Sequence, residues 1–382
     1  MSQSPTSAFS HQPSTARAYR CVCGAQVFFR NNTCLQCGRA LGFDPWLGQV
    51  LAIEPAELPG QWRPADASLA GAATLYRRCA QLDSPALCNW LVPTSPGAPD
   101  LPCACAACQL NRTIPDLGLT WNHEPWLKVE RARRRLVSQL IGLGLPVEPR
   151  APDGSNGGLA FDTLVSLSGQ VPVMTGHTQG VVTLNLLEAD DAHRERIRSE
   201  MREPYRTLLG HYRHEVGHYY WDRLVRDDAS VNEFRTLFGD ERADYGAALG
   251  QHYREGASAD WRERHISSYA CAHPWEDWAE TWAHYLHMRD TLDTAVSFGL
   301  APDQVDVDAR QYDASVLQGG PLVDPQGFMA MLNAWTRLTG VLNELSRSMG
   351  LPDFYPFVLS DTVVRKLHFV HGRVRPFERA PL

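Results

Sequence analysis

Lysine is nearly missing from this chain: Lys128 and Lys366 are the only two in 382 residues, so the positive charge is almost all arginine. That bias has no functional weight by itself. An excess of either charge is also missing, since 36 basic side chains face 43 acidic ones for a formal charge of −7. This excludes a general electrostatic pull toward nucleic acid or an anionic membrane. No run of about 18 apolar residues occurs, which excludes a transmembrane helix by length. The stretch 1–18 is rich in Ser, Thr, Pro and Gln and lacks an apolar segment, so it is expected to be a disordered tail, neither signal peptide nor anchor. Internal repeats are lacking too. A chain of this length with 44% hydrophobic residues still fills a real core, so a soluble, cytoplasmic globular protein is expected.

What is present centres on His214-Glu215-Val216-Gly217-His218, an H-E-x-x-H inside a run from Tyr205 to Asp222 that reads as one helix, opened by Pro204. Residues four apart share a helix face, so both imidazoles reach one Zn²⁺ while Glu215 sits beside the open coordination position. Composition alone yields about 0.02 such matches in a chain with 14 His. Asp222, one turn on, is a candidate to orient a ligand imidazole, with surface capping as the alternative. His211, one turn before, reads as a packing residue.

Nine of the ten cysteines lie between Cys21 and Cys108. Cys21-Val22-Cys23 and Cys34-Leu35-Gln36-Cys37, each followed by Gly, form two short knuckles joined by a strand-like 26–30. That is a zinc-ribbon pattern, although the first knuckle is C-x-C where ribbons usually carry C-x-x-C. Cys79, Cys88, Cys105 and Cys108 can complete a second Cys₄ site, leaving Cys103 spare; disulfides are disfavoured without a secretion signal. The zinc would substitute for a core that so Pro- and Gly-rich a segment builds poorly. Phe28, Phe29, Phe43 and Trp46 serve either as a binding face or, the favoured use, as packing.

A helix over 125–143 marks the start of a second domain. Strands follow at 161–167 and 180–187, the latter expected at a sheet edge above the cleft where a peptide adds as an extra strand, then a charged helix over 191–202. Beyond the motif, 231–238, 241–254, 274–289 and 325–349 read as helices; 357–359 and 367–370 are either strands or short helical pieces. A catalytic zinc needs a third protein ligand. Pro274 suits a first helical turn, Glu276 and Glu280 share a face, and the Trp-rich remainder suggests burial, where a carboxylate must be paired or metal-bound. Glu276 is the first choice, with Glu280 holding a zinc-bound imidazole. A solvated helix face and Glu241 or Asp244 as ligand are the alternatives.

The order of H-E-x-x-H, a long insert, then Tyr269, Pro274, Glu276 and Glu280 resembles gluzincin-like metallopeptidases of the Mlc titration factor A type and the catalytic domain of anthrax lethal factor. The resemblance implies a Glu ligand on a helix and a catalytic Tyr seven residues before it, here Tyr269. More closely, 19–375 resembles a bacterial family of zinc-binding metallopeptidases with an amino-terminal zinc ribbon. Cys88-Asn89-Trp90-Leu91, Asn111-Arg112-Thr113-Ile114-Pro115, Glu188-Ala189-Asp190-Asp191, the run 203–211 and the run 273–282 carry the likeness. The expectation is an α+β fold: a tail (1–18), a Cys-rich zinc-ribbon region (19–115) and a mostly helical zincin-like domain with a small sheet (116–382). It would bind one catalytic and one or two structural zinc ions and hydrolyse peptide bonds in a protein or peptide substrate. Glu215 would be general base and Tyr269 oxyanion donor, with a protein partner possible at the ribbon and nucleic acid disfavoured. The competing readings are a ribbon binding module with a vestigial peptidase fold, and a zinc hydrolase of a non-peptide amide.

Overall fold

A computed structural model describes residues 13–66, 68, 75–98, 101–166, 173–200, 203, 205–318 and 322–377. The chain packs as two compact units, 14–212 and 213–382, and the division falls inside the helix that carries the H-E-x-x-H.

The first unit begins with a two-stranded ribbon, β1 (Tyr19–Arg20) and β2 (Gln26–Val27), followed by an antiparallel sheet in sequential order: β3 (Ala40–Asp44), β4 (Gln49–Pro55), β5 (Trp62–Pro64), β6 (Leu75–Arg78) and β7 (Leu91–Thr94). Leu51, Ile53, Tyr76 and Leu91 form its core. Phe43 is buried against Phe29 and Trp90, at centroid distances of 4.7 and 5.1 Å, so packing, the favoured use, holds for this pair, while Phe28 and Trp46 are about half exposed. A mixed sheet follows in the order β10 (Gly176–Thr178), β11 (Val181–Asn185), β9 (Ala160–Leu164), β8 (Asn111–Thr113). Strand β11 is therefore interior, paired antiparallel to β10 and parallel to β9, so it is not the expected sheet edge. Val182 and Leu184 are buried on one of its faces, Val181 and Asn185 on the other.

Helix α1 (His123–Gly142) holds the ribbon region and the mixed sheet together within this unit. Its Arg133 is wholly buried, gripped by both carboxylate oxygens of Glu130 at 2.7 and 2.6 Å, donates to the Ala107 carbonyl and lies over Phe161. Arg134 donates to the Ala86 carbonyl at 2.8 Å. Of the stretch expected to be a disordered tail, 1–12 lie outside the described residues, but Thr15 and Arg17 are buried. Arg17 donates to Ser138 of α1 at 3.0 Å and covers the Phe29 ring, which fixes residues that the polar composition left free.

Helix α2 (Asp191–Glu200) has no buried residue. Helix α3 (Leu208–Leu224) starts later than its sequence suggests, because Arg206 is bound to Glu188 and Glu203, and Thr207 caps the helix by accepting from the Gly210 N–H at 3.0 Å. Pro204, expected to open the helix, lies outside the described residues.

The second unit is helical among its described residues: α4 (Asp228–Phe238), α5 (Tyr245–Glu255), α6 (Trp261–Arg264), α7 (Pro274–Ser297), α8 (Pro325–Ser348) and α9 (Asp361–Val374). The segment 367–370 thus belongs to a helix, and 357–359 to none. Helix α7 starts where its sequence predicts, with Pro274 in the first turn and the His273 side chain as cap. Its Trp278 and Trp282 are fully buried, Trp282 stacked on Tyr220 of α3 at 5.0 Å and Trp278 amid Phe234, Phe238 and Phe369. The α3–α7 crossing is close at Gly217: a Cβ there would lie 3.1 Å from the Cα of Ala279 and 3.2 Å from Trp282 Cδ1. The Gly217 carbonyl accepts the Trp278 indole N–H at 2.8 Å.

Candidate metal centres

Close packing of α3 on α7 sets two residues of one helix against two of the other. His214 and His218, one turn apart, meet Glu276 and Glu280, also one turn apart. His214 Nε2 lies 2.9 Å from Glu276 Oε2, and His218 Nε2 lies 3.6 Å from Glu276 Oε1. The donor atoms of His214, His218 and Glu276 all fall within 4.8 Å of one another. Bonds of about 2.0–2.2 Å to tetrahedral zinc would separate such atoms by about 3.4 Å. Glu276 is 1% exposed and its Oε2 accepts no hydrogen bond, an orphaned buried anion that a cation would satisfy. The donors present therefore fit a zinc ion.

The surrounding groups hold this arrangement. Glu280 Oε1 accepts from His214 Nδ1 at 2.7 Å and its Oε2 accepts from Ser267 Oγ at 2.6 Å. With Nδ1–H so engaged, Nε2 is the nitrogen turned toward Glu276. The Tyr245 hydroxyl donates to Glu276 Oε1 at 2.6 Å. The Tyr269 ring lies 6.0 Å from that of His214. Asp222 is exposed one turn beyond His218, and no hydrogen bond to either ligand imidazole is among its described contacts. His211 lies in the first unit, 3.5 Å from a Glu188 oxygen. The alternative ligands are engaged elsewhere: Glu241 binds Arg235 and Asp244 caps α5 by accepting from Ala247 N–H.

Electrostatics follow from burying three carboxylates beside two imidazoles. Burial opposes ionisation of Glu276, but the close-lying His214 imidazole, with His218 and Tyr245, wins and brings it down to about 2. Glu280 is likewise brought to about 2, against burial, by His214, His284 and Ser267. Burial disfavours a charged His214, yet Glu276 and Glu280 outweigh it and raise its pKa. A divalent cation would take the place of that proton. Burial pushes Glu215 up to about 7, with Glu276 and Glu280 adding to the rise against the pull of His214.

Among the described residues the cysteines make two further candidate sets of metal donors, both in the first unit. Cys21, Cys23, Cys34 and Cys37 converge, as do Cys79, Cys88, Cys105 and Cys108, the second set all buried. Sulfur–sulfur separations of 3.7 Å recur for Cys21–Cys37, Cys23–Cys34 and Cys88–Cys105. A disulfide needs about 2.05 Å, whereas the edge of a tetrahedron with 2.3 Å zinc–sulfur bonds is about 3.8 Å. The C-x-C knuckle closes the tetrahedron without a second spacer residue because Gly24 turns left-handed at φ 86°, matching Gly38 at φ 73° in the other knuckle. Cys103 stands outside both sets; Cys271 donates to the Ser268 carbonyl at 2.8 Å.

Tyr245 and Ser267 were not found from sequence. Tyr245 follows the helix-capping Asp244, a weak local signal; Ser267 carries none beyond its position two residues before Tyr269.

An α+β protein with three donor sets suited to zinc among its described residues is the class that fold and sites define. The chain belongs to the family described as "putative zinc-binding metallo-peptidase", whose profile matches residues 122–373, and a zinc-ribbon domain profile matches 18–119. It is 43% identical over 357 residues to uncharacterized proteins of Mycobacterium bovis and Mycobacterium tuberculosis, covering 93% of this chain and 94% of each relative. No solved structure matches the chain, so the likeness to anthrax lethal factor rests on motif spacing alone.

Proposed function

We propose that the protein is a zinc-dependent peptidase acting at His214, His218 and Glu276. The observation that carries this reading is the convergence of those three donors around an unsatisfied carboxylate oxygen, with Glu215 on the same helix between the two imidazoles. Zinc bound there supplies Lewis acidity, polarising a substrate carbonyl and bringing the pKa of a water to about 7.

The chain's own residues do the rest. Glu215 takes the proton of the attacking water and returns it to the leaving amine. Glu280, steadied by Ser267, keeps the proton of His214 on Nδ1 and so keeps Nε2 free to bind metal. Tyr269 donates to the oxyanion as it develops, a contribution of about 10²–10³ in rate where single donors have been removed. The two Cys₄ sets serve as structural zinc sites, standing in for apolar core.

The test compares zinc-loaded wild type with Glu215→Gln on an unfolded protein substrate, following new amino termini. Wild type should cleave it, and the variant should lose about 10²–10⁴ of the rate with its zinc content unchanged. Equal behaviour of the two proteins would sink the peptidase reading and leave the ribbon-centred binding reading in its place.

A further inference from the structure

Tyr245 is placed as no ordinary packing tyrosine would be. The residue is 42% exposed, yet its hydroxyl reaches inward to a carboxylate that is 1% exposed, Glu276, at 2.6 Å. A tyrosine retained for core packing buries its ring and leaves the hydroxyl at the rim. Helix α5, which it begins, has no buried residue at all, so the helix is not held by a core of its own.

What aims Tyr245 is a chain of specific contacts. Asp244 caps α5 by accepting from the Ala247 N–H at 2.8 Å, fixing the first turn on which Tyr245 sits. His273, the cap of α7, accepts from the Trp275 N–H through Nδ1 at 3.1 Å and donates through Nε2 to the Ala243 carbonyl at 3.1 Å. One imidazole therefore ties the start of the helix bearing Glu276 to the residue two before Tyr245. The Tyr245 ring packs edge-on against His273 at 5.2 Å. The segment between α4 and α5 begins at Gly239, whose φ of 104° lets the backbone turn back toward α7.

We infer that Tyr245 is a positioning residue for the metal centre: its phenol O–H holds Glu276 Oε1 and leaves Oε2 as the oxygen offered to the ion. This rests on the reading of His214, His218 and Glu276 as a zinc site. A hydrogen-bonded carboxylate is oriented before metal arrives, and loss of such an outer partner typically weakens metal affinity about 10–100-fold. Tyr269, which makes no hydrogen bond to a ligand among the described contacts, serves as the internal comparison.

The experiment measures zinc affinity of the full chain by competition with chelators of graded strength, following the most labile zinc in wild type, Tyr245→Phe, Tyr269→Phe and His218→Ala. The fold is checked by circular dichroism and by retention of the cysteine-bound zinc. The expected result is a labile zinc present in wild type and absent from His218→Ala, bound about 10–100-fold more weakly by Tyr245→Phe and unchanged in Tyr269→Phe. Wild-type affinity in Tyr245→Phe would overturn the assignment, as would equal weakening in both phenylalanine variants. No labile zinc in wild type would overturn the underlying site, a different failure recognisable from the wild-type arm alone.

Discussion

Asp277 sits wholly buried on α7, in the turn that also carries Glu276, and is neutralised from another helix. Lys366 of α9 donates to Asp277 Oδ2 at 2.5 Å and to the Arg264 carbonyl at 2.7 Å, and His265 Nδ1 lies 3.1 Å from the same carboxylate. Removing one partner of such a pair strands a buried charge at a cost of about 3–5 kcal/mol, whereas replacing both with apolar groups is often neutral. Lys366→Met should therefore lower the urea midpoint sharply, and adding Asp277→Leu should restore most of it. A double variant no better than the single would refute this account of the pair. Nothing in the sequence separates Lys366 from Lys128, since the contact spans 89 residues. Glu276, by contrast, is legible because a proline, a shared helix face and a Trp-rich stretch act within one helical turn of it. Tyr245 is not, because its reach to Glu276 depends on the turn at Gly239 and on His273, neither of which leaves a periodic trace.

Two helices decide whether the donors meet. Gly217 lets α3 approach α7 until backbone faces backbone, and this contact brings His214 and His218 to Glu276 and Glu280. A β-branched side chain there would push against Ala279 and Trp282, which are both fully buried and cannot yield. Gly217→Val should thus lose the most labile zinc and lower the melting temperature, and Gly217→Ala should do the same more mildly. Full zinc retention in Gly217→Val would show that the crossing is not what sets the site. Apart from α6 and α9, the helices were legible from periodicity and caps. Their ends were less so: ion pairs to Arg206 delay α3 to Leu208, and 367–370 joins a helix because Lys366, Leu367, Phe369 and Val370 are buried on it. The interior position of β11 was illegible, since beside its parallel partner 160–164 it pairs with 176–178, a short strand that the sequence does not announce.

At the scale of the whole chain, the donor sets make metal content a count. Zinc per chain should be three in wild type and two in His218→Ala, and Cys105→Ser should also lose one, accompanied by a fall in melting temperature because its four thiols are all buried. One zinc unaffected by His218→Ala would refute the division into three centres. The cysteine spacing made both four-sulfur sets readable in advance, because a knuckle is local; the burial of Thr15 and Arg17 against α1 was not, because it joins residues 121 apart. The near absence of lysine then has a practical meaning. Of the two ammonium groups, Lys128 is 36% exposed and Lys366 only 3%. An acylating reagent in water meets one open side-chain amine in the folded chain and a second once α9 leaves Asp277, so a mass shift of a single label records the opening of this helix.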